Sequence, residues 1–151
     1  MNEIKISEVN ESDCEAIAKL EEECFSMPWS VQSVKESLLQ ECTIFLKAVF
    51  DNKIVGYIGL YRFFDEGDIT NIAVTTLYRR KGIAKLLINS MIEKCKSLGV
   101  HEITLEVRQG NQAAINLYEQ MGFFEIGIRK DFYEKPVENA KIMRYIVNHN
   151  N

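Results

Sequence analysis

The chain has 151 residues, of which 46% are hydrophobic, so it is long enough to bury one core and too short to make a second domain expected. Its formal net charge of -4 and pI near 5.3 argue against direct nucleic-acid binding, because they create no broad attraction for phosphates. No apolar run reaches membrane-spanning length, and the segment 1–9 lacks the regions of a secretory signal. We therefore expect a single domain over residues 1–151, in the cytoplasm and without membrane contact.

The four cysteines are scattered along the chain without the close pairs of a zinc site, and a disulfide scaffold would be denser. They are Cys14, Cys24, Cys42 and Cys95. Cysteine is among the most buried residue types, so we expect reduced and mostly buried thiols rather than a structural bridge. We predict no metal site.

The first half of the chain predicts one strand, two helices and then three strands. Alternation of polar and apolar residues predicts a strand over 3–9, and helical spacing predicts helices over 12–25 and 30–40. Ser12 and Ser30 are the expected N-caps, since a serine oxygen can accept a backbone N–H of the first turn. The three strands are expected at 43–50, 53–61 and 68–75, the first two joined by a turn at Asp51-Asn52.

The second half predicts alternating helices and strands. Its longest helix, 81–98, carries one apolar stripe and is expected to end at Gly99. A helix over 111–121 is expected to be capped by Asn111 and stopped by Gly122. Further strands are expected at 101–108, 123–129 and 140–147. An antiparallel first half followed by crossovers indicates an α/β (α+β) fold, a twisted mixed sheet with helices on both faces.

The sharpest local pattern is the passage from a strand ending in Asn71-Ile72-Ala73-Val74 through Arg79-Arg80-Lys81 to Gly82-Ile83-Ala84. Unpaired N–H groups and the dipole at a helix start attract anions, and small residues let an anion reach the backbone. The arrangement suits a pyrophosphate, and a solvated helix N-terminus is the alternative. The chain has neither the P-loop spacing nor the three-glycine dinucleotide fingerprint, which argues against nucleotide hydrolysis and nicotinamide binding.

Several segments, taken in order, resemble one protein family along essentially the whole chain. Arg79-x-x-Gly82-x-Ala84 after Ile72-Ala73-Val74 is similar to the acetyl-CoA signature of the GNAT acetyltransferase superfamily. The segments that resemble its RimI-like branch, the ribosomal-protein alanine N-acetyltransferases, are Pro28-Trp29-Ser30, Leu105-Glu106-Val107-Arg108, Asn111, Leu117-Tyr118-Glu119 and Gly122-Phe123. The resemblance implies a GNAT fold and acetyl transfer from acetyl-CoA to an amine.

The resemblance also implies which residues bind the coenzyme. The backbone of Val74 would donate a hydrogen bond to the acetyl carbonyl, while Ile72 and Ala73 would hold the pantetheine where neighbouring strands splay apart. The residues that would surround the diphosphate are Arg79, Arg80, Lys81, Gly82, Ile83 and Ala84. Asn111 would contact the coenzyme, and its position fits a simple helix N-cap equally well.

Two residues are candidates for acid–base chemistry. Alternation places Glu106 mid-strand on the face opposite Leu105 and Val107, where an ordinary half-exposed carboxylate is the alternative. Tyr118 lies two turns beyond Asn111 on about the same helix face, where a core tyrosine is the alternative. By resemblance, Glu106 is the general base, acting through water, and Tyr118 is the general acid that protonates the departing thiolate.

The substrate groove is predicted from the segments 24–29 and 129–133, which resemble the two loops that embrace a peptide N-terminus in this family. Trp29 and Tyr133 are the candidate contacts, and anchoring of the loop to the core is the alternative for Trp29. Departures from the usual RimI-like pattern, which affect peptide selectivity, occur at Phe132 and Asn139. The histidines, which are not candidate catalysts, are His101 and His149.

The expected function is N-terminal acetylation of a protein, with a ribosomal small-subunit protein as the partner that the resemblance implies. An α-amine with a pKa near 8 costs about 1 kcal/mol to neutralise at pH 7.4, whereas a lysine amine near 10.4 costs about 4 kcal/mol. A carboxylate base therefore favours the α-amine. The alternatives are transfer to lysine or a small-molecule amine, and a non-catalytic acetyl-CoA-binding protein, against which the presence of both Glu106 and Tyr118 argues. A monomer or weak dimer is expected.

Overall fold

The computed structural model describes residues 3–147. Over this range, seven strands and four helices follow one another in the predicted order β-α-α-β-β-β-α-β-α-β-β. The strands are β1 (Lys5–Glu8), β2 (Thr43–Phe50), β3 (Lys53–Phe63), β4 (Glu66–Val74), β5 (Glu102–Arg108), β6 (Phe124–Tyr133) and β7 (Glu138–Ile146). The helices are α1 (Cys14–Cys24), α2 (Val31–Leu38), α3 (Ile83–Ser97) and α4 (Gln112–Gln120).

The strands form one mixed sheet in the order β1-β2-β3-β4-β5-β7-β6. All neighbours are antiparallel except β4 and β5, which run parallel because α3 crosses over between them. The larger core cluster packs α3 and α4 against one face of the sheet. The smaller cluster packs α1 and α2 against Phe45, Tyr57 and Ala73 on the other face. The predicted mixed sheet with helices on both faces is confirmed.

The alternation predicted for β5 is also confirmed. Ile103, Leu105 and Val107 are buried in the larger core, while Thr104 and Glu106 are half-buried on the opposite face. Successive side chains of a strand point to opposite faces, so the core requirement of one set determines the direction of the other. Glu106 therefore faces the side of the sheet on which α1 and α2 pack.

The predicted helix caps are confirmed at two positions and wrong at a third. Ser33 N–H donates to Ser30 Oγ at 3.1 Å, and Ala114 N–H donates to Asn111 Oδ1 at 3.2 Å. Ser12, however, lies inside a short 3₁₀ turn, and its N–H donates to the Asn10 side chain, which is the actual cap. Asn10 and Asp13 satisfy each other's backbone N–H groups as a capping box. The helical segment therefore begins with this 3₁₀ turn, upstream of Ser12.

Some residues with positive φ occur at the turns that were expected. Gly99, with φ of 76°, ends α3, and a glycine adopts this conformation without a Cβ clash. Asp51 and Asn52, with φ of 52° and 63°, form the tight turn between β2 and β3. The four cysteines are free, as predicted, but only Cys14 and Cys95 are buried, so the expectation of mostly buried thiols holds for half of them.

Strand β6 extends further than predicted. The segment 129–133, expected as a loop, belongs to β6, because Arg129 pairs with Ala140 and Tyr133 pairs with Glu138 across an irregular register. A local sequence pattern does not contain this pairing partner, which lies on β7. Within residues 3–147, no helix is long and apolar enough to cross a membrane.

Candidate active site

A gap opens between β4 and β5 at the centre of the sheet. The two strands pair from Glu66 with Glu102 to Ile69 with Leu105, and no pair follows. Beyond that point β4 continues along β3 as far as Val74, while β5 continues along β7. The strands therefore separate toward their carboxyl ends, which is the splay that the family resemblance implied.

A bulge on β4 accompanies this separation. Gly59 pairs with Asn71 and Leu60 pairs with Ile69, so Thr70 is an extra residue without a partner on β3. An extra residue of this kind bends a strand and increases its twist. After the bulge, Ala73 is buried in the smaller core, while Ile72 packs on the larger one. The side chains of Ile72 and Ala73 are thus used for packing, and because the backbone of Ala73 pairs with Tyr57 on β3, the backbone of Ile72 is left for contact within the gap.

The backbone of Val74 faces the gap. Thr75 N–H donates to Val55 O on β3 at 2.8 Å, and backbone groups of successive strand residues point in opposite directions. Val74 O accordingly accepts from Arg79 Nε at 3.1 Å and from Cys24 Sγ at 3.5 Å, away from β3. The Val74 N–H points to the same side as its carbonyl, toward the gap.

A cavity of about 340 Å³ lies at the start of α3, directly after the end of β4. It is lined by Val74, Tyr78, Arg79, Arg80, Gly82, Ile83, Ala84, Lys85 and Leu117. This set contains every predicted diphosphate residue except Lys81, whose ammonium instead lies 5.8 Å from the centre of the Tyr78 ring. The cavity therefore joins the basic loop to α4, which carries Leu117.

The start of α3 has the properties of an anion site. Gly82 is the N-cap with φ of 79°, and no side chain caps the helix there. The N–H groups of Ile83, Ala84 and Lys85 precede the first helical hydrogen bond, from Leu86 N–H to Gly82 O at 3.1 Å. A Cβ built on Gly82 would meet no atom within 4 Å, so the space beside its backbone is open. These donors, the helix dipole and the surrounding cations fit a diphosphate.

The Glu106 carboxylate lies at the other end of the gap. It extends one position beyond the last β4–β5 pair, and its side chain is 18% exposed. Arg129 Nε lies 4.0 Å from Glu106 Oε1, and the Arg129 side chain is 58% exposed. An ion pair this open to water is weak, so the arginine leaves Glu106 available for other contacts.

Tyr133 lies near this carboxylate, and Tyr118 lies near Tyr133. Burial and the charge of Glu106 raise the pKa of Tyr133 to about 12, and burial together with Tyr133 raises the pKa of Tyr118. Both phenols therefore remain protonated near neutral pH. The Tyr118 ring packs 5.8 Å from the Phe123 ring, and Arg108 lies 4.4 Å over the Tyr133 ring. Tyr133 on β6 thus interacts with both Glu106 on β5 and Tyr118 on α4.

A second carboxyl group, which the sequence analysis did not identify, belongs to the same group of residues. Asp68 on β4 pairs with Thr104 on β5, and Thr104 Oγ1 donates to Asp68 Oδ1 at 3.5 Å. Burial and the negative charge of Glu106 raise the pKa of Asp68 to about 6. The sequence carried one signal, an acidic residue within a β-rich run. That Asp68 lies near Glu106 became apparent only from the register of β4 and β5, which are distant in sequence.

The remaining predicted residues have structural partners. Asn111 uses its side-chain oxygen to cap α4, so only its amide nitrogen is left for a ligand. The Trp29 ring packs edge-on at 6.4 Å from Phe45, and its backbone N–H donates to Glu21 Oε1 at 2.9 Å. Anchoring of the loop by Trp29, left open by the sequence, is therefore present in the structure.

The two positions that depart from the RimI-like pattern, Phe132 and Asn139, lie close to the end of β6. Phe132 packs edge-on at 5.0 Å from Tyr133. Asn139 Oδ1 accepts from Asp131 N–H at 2.9 Å, and its amide donates to Gln109 Oε1 at 3.2 Å. Asn139 thereby ties β6 to the end of β5. His149 lies outside the described residues, and within residues 3–147 no cluster of three or more metal-ligating side chains occurs.

Comparison with known proteins gives consistent matches in sequence and structure. A model of the acetyltransferase (GNAT) family matches residues 14–123. The ribosomal protein bS18-alanine N-acetyltransferase of Haemophilus influenzae is 36% identical over 141 residues, covering 91% of this chain and 95% of that protein.

Solved structures match over the whole fold. The crystal structure of the ribosomal-protein-S18-alanine N-acetyltransferase from Escherichia coli superposes with a TM-score of 0.91 at 30% identity, covering 100% of this chain and 97% of that one. A chain in the crystal structure of the NatC complex bound to Gag peptide and CoA matches with a TM-score of 0.83 at 31% identity, covering 97% and 99%. The seven-stranded sheet with its helices is the fold of these neighbours.

Proposed function

This chain belongs to the GNAT acetyltransferase family, and we propose that it transfers the acetyl group of acetyl-CoA to the N-terminal α-amine of a ribosomal protein. The observation that carries the proposal is the gap between β4 and β5, which has an anion cradle at one end and a carboxylate at the other. The names of the relatives from Haemophilus influenzae and Escherichia coli support ribosomal protein bS18, beginning with alanine, as the acceptor.

Acetyl-CoA fits the cradle by its chemistry. Its diphosphate would accept hydrogen bonds from the N–H groups of Gly82, Ile83 and Ala84, with Arg79, Arg80 and Lys81 supplying positive charge. Asn111 would contact the coenzyme through its amide nitrogen. The pantetheine would run along the backbone of Ile72 and Ala73 in the gap, and the acetyl carbonyl would accept from Val74 N–H. The CoA-bound structural neighbour supports this use of the fold.

Glu106 and Tyr118 have properties that suit the two proton transfers. In the proposed reaction, Glu106 accepts a proton from the incoming ammonium through water, which produces the nucleophilic amine. Tyr118, kept protonated because burial raises its pKa, donates its phenolic proton to the departing sulfur. Trp29 and Tyr133 line the approach of the peptide, Trp29 on the loop before α2 and Tyr133 at the end of β6.

An α-amine is the acceptor favoured by this site. Neutralising it at pH 7.4 costs about 1 kcal/mol, against about 4 kcal/mol for a lysine amine. The Glu106 carboxylate pairs only weakly with an exposed arginine, so it is available to attract an ammonium. The difference of about 3 kcal/mol corresponds to roughly a hundredfold preference if both amines reach the site equally well.

The proposal is tested with a peptide that copies the alanine-starting N-terminus of bS18 and contains one internal lysine. Its matched control is the same peptide with a formylated α-amine. Incubation with acetyl-CoA followed by mass spectrometry is expected to find the acetyl group on the α-amine of the first peptide and no product from the second. Acetylation of lysine in both peptides would contradict the proposed acceptor.

A variant distinguishes catalysis from simple binding. We expect Glu106→Gln to lower kcat by about 10² to 10⁴ while acetyl-CoA still binds, because only proton transfer is impaired. Glu93→Gln, which makes the same chemical change on the exposed face of α3, is the control and should retain full turnover. Equal kcat values for the Glu106→Gln variant and the wild type would exclude Glu106 as the base.

A further inference from the structure

The proposed reaction removes two protons from the acceptor nitrogen. An ammonium carries three N–H bonds and the amide product carries one, so two N–H bonds break while the C–N bond forms and the C–S bond breaks. One proton ends on the coenzyme sulfur as S–H, and the other is released to solvent. A single carboxylate must therefore be used twice or have a partner.

Asp68 is positioned to be that partner. It stands on β4 one residue before the last β4–β5 pair, opposite Thr104. Thr104 and Glu106 are two residues apart on β5, so the side chains of Asp68, Thr104 and Glu106 share one face at the closed end of the gap, where the β4–β5 pairing stops. Asp68 is half-buried, and the hydroxyl of Thr104 holds its Oδ1 at 3.5 Å.

We propose that Asp68 and Glu106 form one proton-accepting pair, in which Asp68 is the second carboxyl group of the amine site. This inference rests on the proposed function. The pair takes the first proton from the ammonium before C–N bond formation and passes it to water. It takes the second proton as the C–N bond forms and returns it to the Tyr118 phenolate left after sulfur is protonated. Asp68 contacts the incoming ammonium directly or through water.

The charges around Asp68 are consistent with a shared proton. Its pKa of about 6 results first from burial and then from the negative charge of Glu106, and the Thr104 hydrogen bond and the Arg129 charge act in the opposite direction. The other titratable or charged groups on the same face of the sheet include Glu66 on β4, Glu102 and Arg108 on β5, Tyr61 on β3, opposite Asp68, and Arg144 on β7, opposite Thr104. Arg144 Nε lies 3.6 Å from Glu102, so its charge is directed toward another carboxylate.

The pairing is tested without turnover by carbon-13 NMR of the aspartate carboxyl groups. Asp68 is assigned by comparing the wild type with the Asp68→Asn variant. We expect the Asp68 resonance to titrate near pH 6 in the wild type and about one unit lower in Glu106→Gln, because the neighbouring negative charge is removed. The same midpoint in both proteins would overturn the inference.

The use of the pair in catalysis is tested by the pH dependence of kcat/KM. The wild-type acid limb is expected to include an ionisation near pH 6, which Asp68→Asn removes, so that the limb moves to lower pH while kcat falls about tenfold or more. Asp65→Asn makes the same change in the exposed turn before β4 and is expected to leave the profile unaltered. Asp68→Glu restores a carboxyl group and part of the rate.

The outcomes separate this inference from the proposed function. If the wild type acetylates the peptide α-amine and the Asp68→Asn limb coincides with the wild-type limb, the inference fails while the function stands. If no N-terminal peptide is acetylated but the Asp68 midpoint still moves in Glu106→Gln, the proposed acceptor fails and the pair stands. Unchanged acetyl-CoA affinity of Asp68→Asn by calorimetry shows that the variant is folded. If the acid limb of kcat/KM does not move in this folded variant, the catalytic role of Asp68 is overturned.

Discussion

The backbone N–H of Trp29 donates a 2.9 Å hydrogen bond to Oε1 of Glu21, a carboxylate that is only 1% exposed. The other oxygen of Glu21 accepts from the Tyr57 hydroxyl and, at 3.0 Å, from the Asn71 amide. Burial raises the pKa of Tyr57, which keeps this phenol a donor. One buried side chain of α1 thus holds the loop before α2 and the bulged part of β4, which border the proposed peptide and coenzyme sites.

Removal of this carboxylate is expected to be costly. Glu21→Ala leaves the Tyr57 and Asn71 donors buried without an acceptor, so the free energy of unfolding should fall by about 3 kcal/mol. Glu21→Gln should cost less than half as much, because Asn71 Oδ1 has no partner among the described residues and can accept from the new amide after rotation. Urea denaturation measures both variants, with exposed Glu22→Ala as the control. Equal losses for Ala and Gln would contradict this explanation.

Tyr118→Phe is expected to lower kcat about 100-fold without weakening acetyl-CoA binding, because the variant loses only the phenolic proton. Tyr145→Phe is the matched control, since both tyrosines pack on the same Phe123 ring, at 5.8 Å and 5.4 Å. Because burial raises the pKa of Tyr118, the wild-type phenol should stay protonated across pH 6 to 9. Steady-state kinetics of the three proteins provide the measurement, and a similar decrease in both variants would argue for packing instead of acid catalysis.

Alanine substitutions at two glycines, one at each end of α3, distinguish the effect of backbone strain from the effect of ligand contact. Gly82 and Gly99 have φ of 79° and 76°, and a Cβ on either meets no atom within 4 Å. Alanine at either position should therefore cost a similar amount of stability, about 1 kcal/mol. Only Gly82→Ala adds a methyl group to the proposed diphosphate cradle, so calorimetry should show at least tenfold weaker acetyl-CoA binding for it alone. Equal affinities would place the diphosphate elsewhere.

Asp68→Asn is expected to stabilise the protein at neutral pH. The folded-state pKa of about 6 lies above the ordinary value of 3.8, so ionising Asp68 costs stability as the pH rises through this interval. The penalty is complete above pH 6 and absent below pH 3.8. After allowance for solvent screening of this half-buried group, the variant should gain about 1 kcal/mol at pH 7.5 and nothing at pH 3.5. Thermal unfolding at both pH values tests the sign, and a loss of stability at pH 7.5 would contradict it.

Much of the fold could be predicted from local patterns. The alternation of β5, the stripe of α3 and the turn chemistry of Asp51-Asn52 act between residues close in sequence, so they are readable without the tertiary structure. The cap at Ser12 was mispredicted because a 3₁₀ turn capped by Asn10 precedes α1, and Ser12 lies inside that turn. Within the candidate site, the positions of Glu106, Tyr118 and Gly82 followed from motif spacing, although their proposed roles stay predictions.

Two features depended on contacts that no local pattern contains. The extension of β6 to Tyr133 required its partner Glu138 on β7. The anchoring of Trp29 required Glu21 and the aromatic ring of Phe45, which join a loop to a helix and a strand. Each of these contacts stabilises a segment whose own sequence is compatible with more than one conformation.

The amino-acid sequence by itself determined the order of elements, the family and the residues with acid–base chemistry, because hydrophobic period, caps and motif spacing are local properties. Only the tertiary structure determined which of these residues are neighbours. Asp68 and Thr104 are far apart in the chain and meet through the parallel register of β4 and β5. That register follows from the packing of the whole sheet around its two cores, and it brings the carboxyl group of Asp68 close enough to Glu106 for their charges to interact.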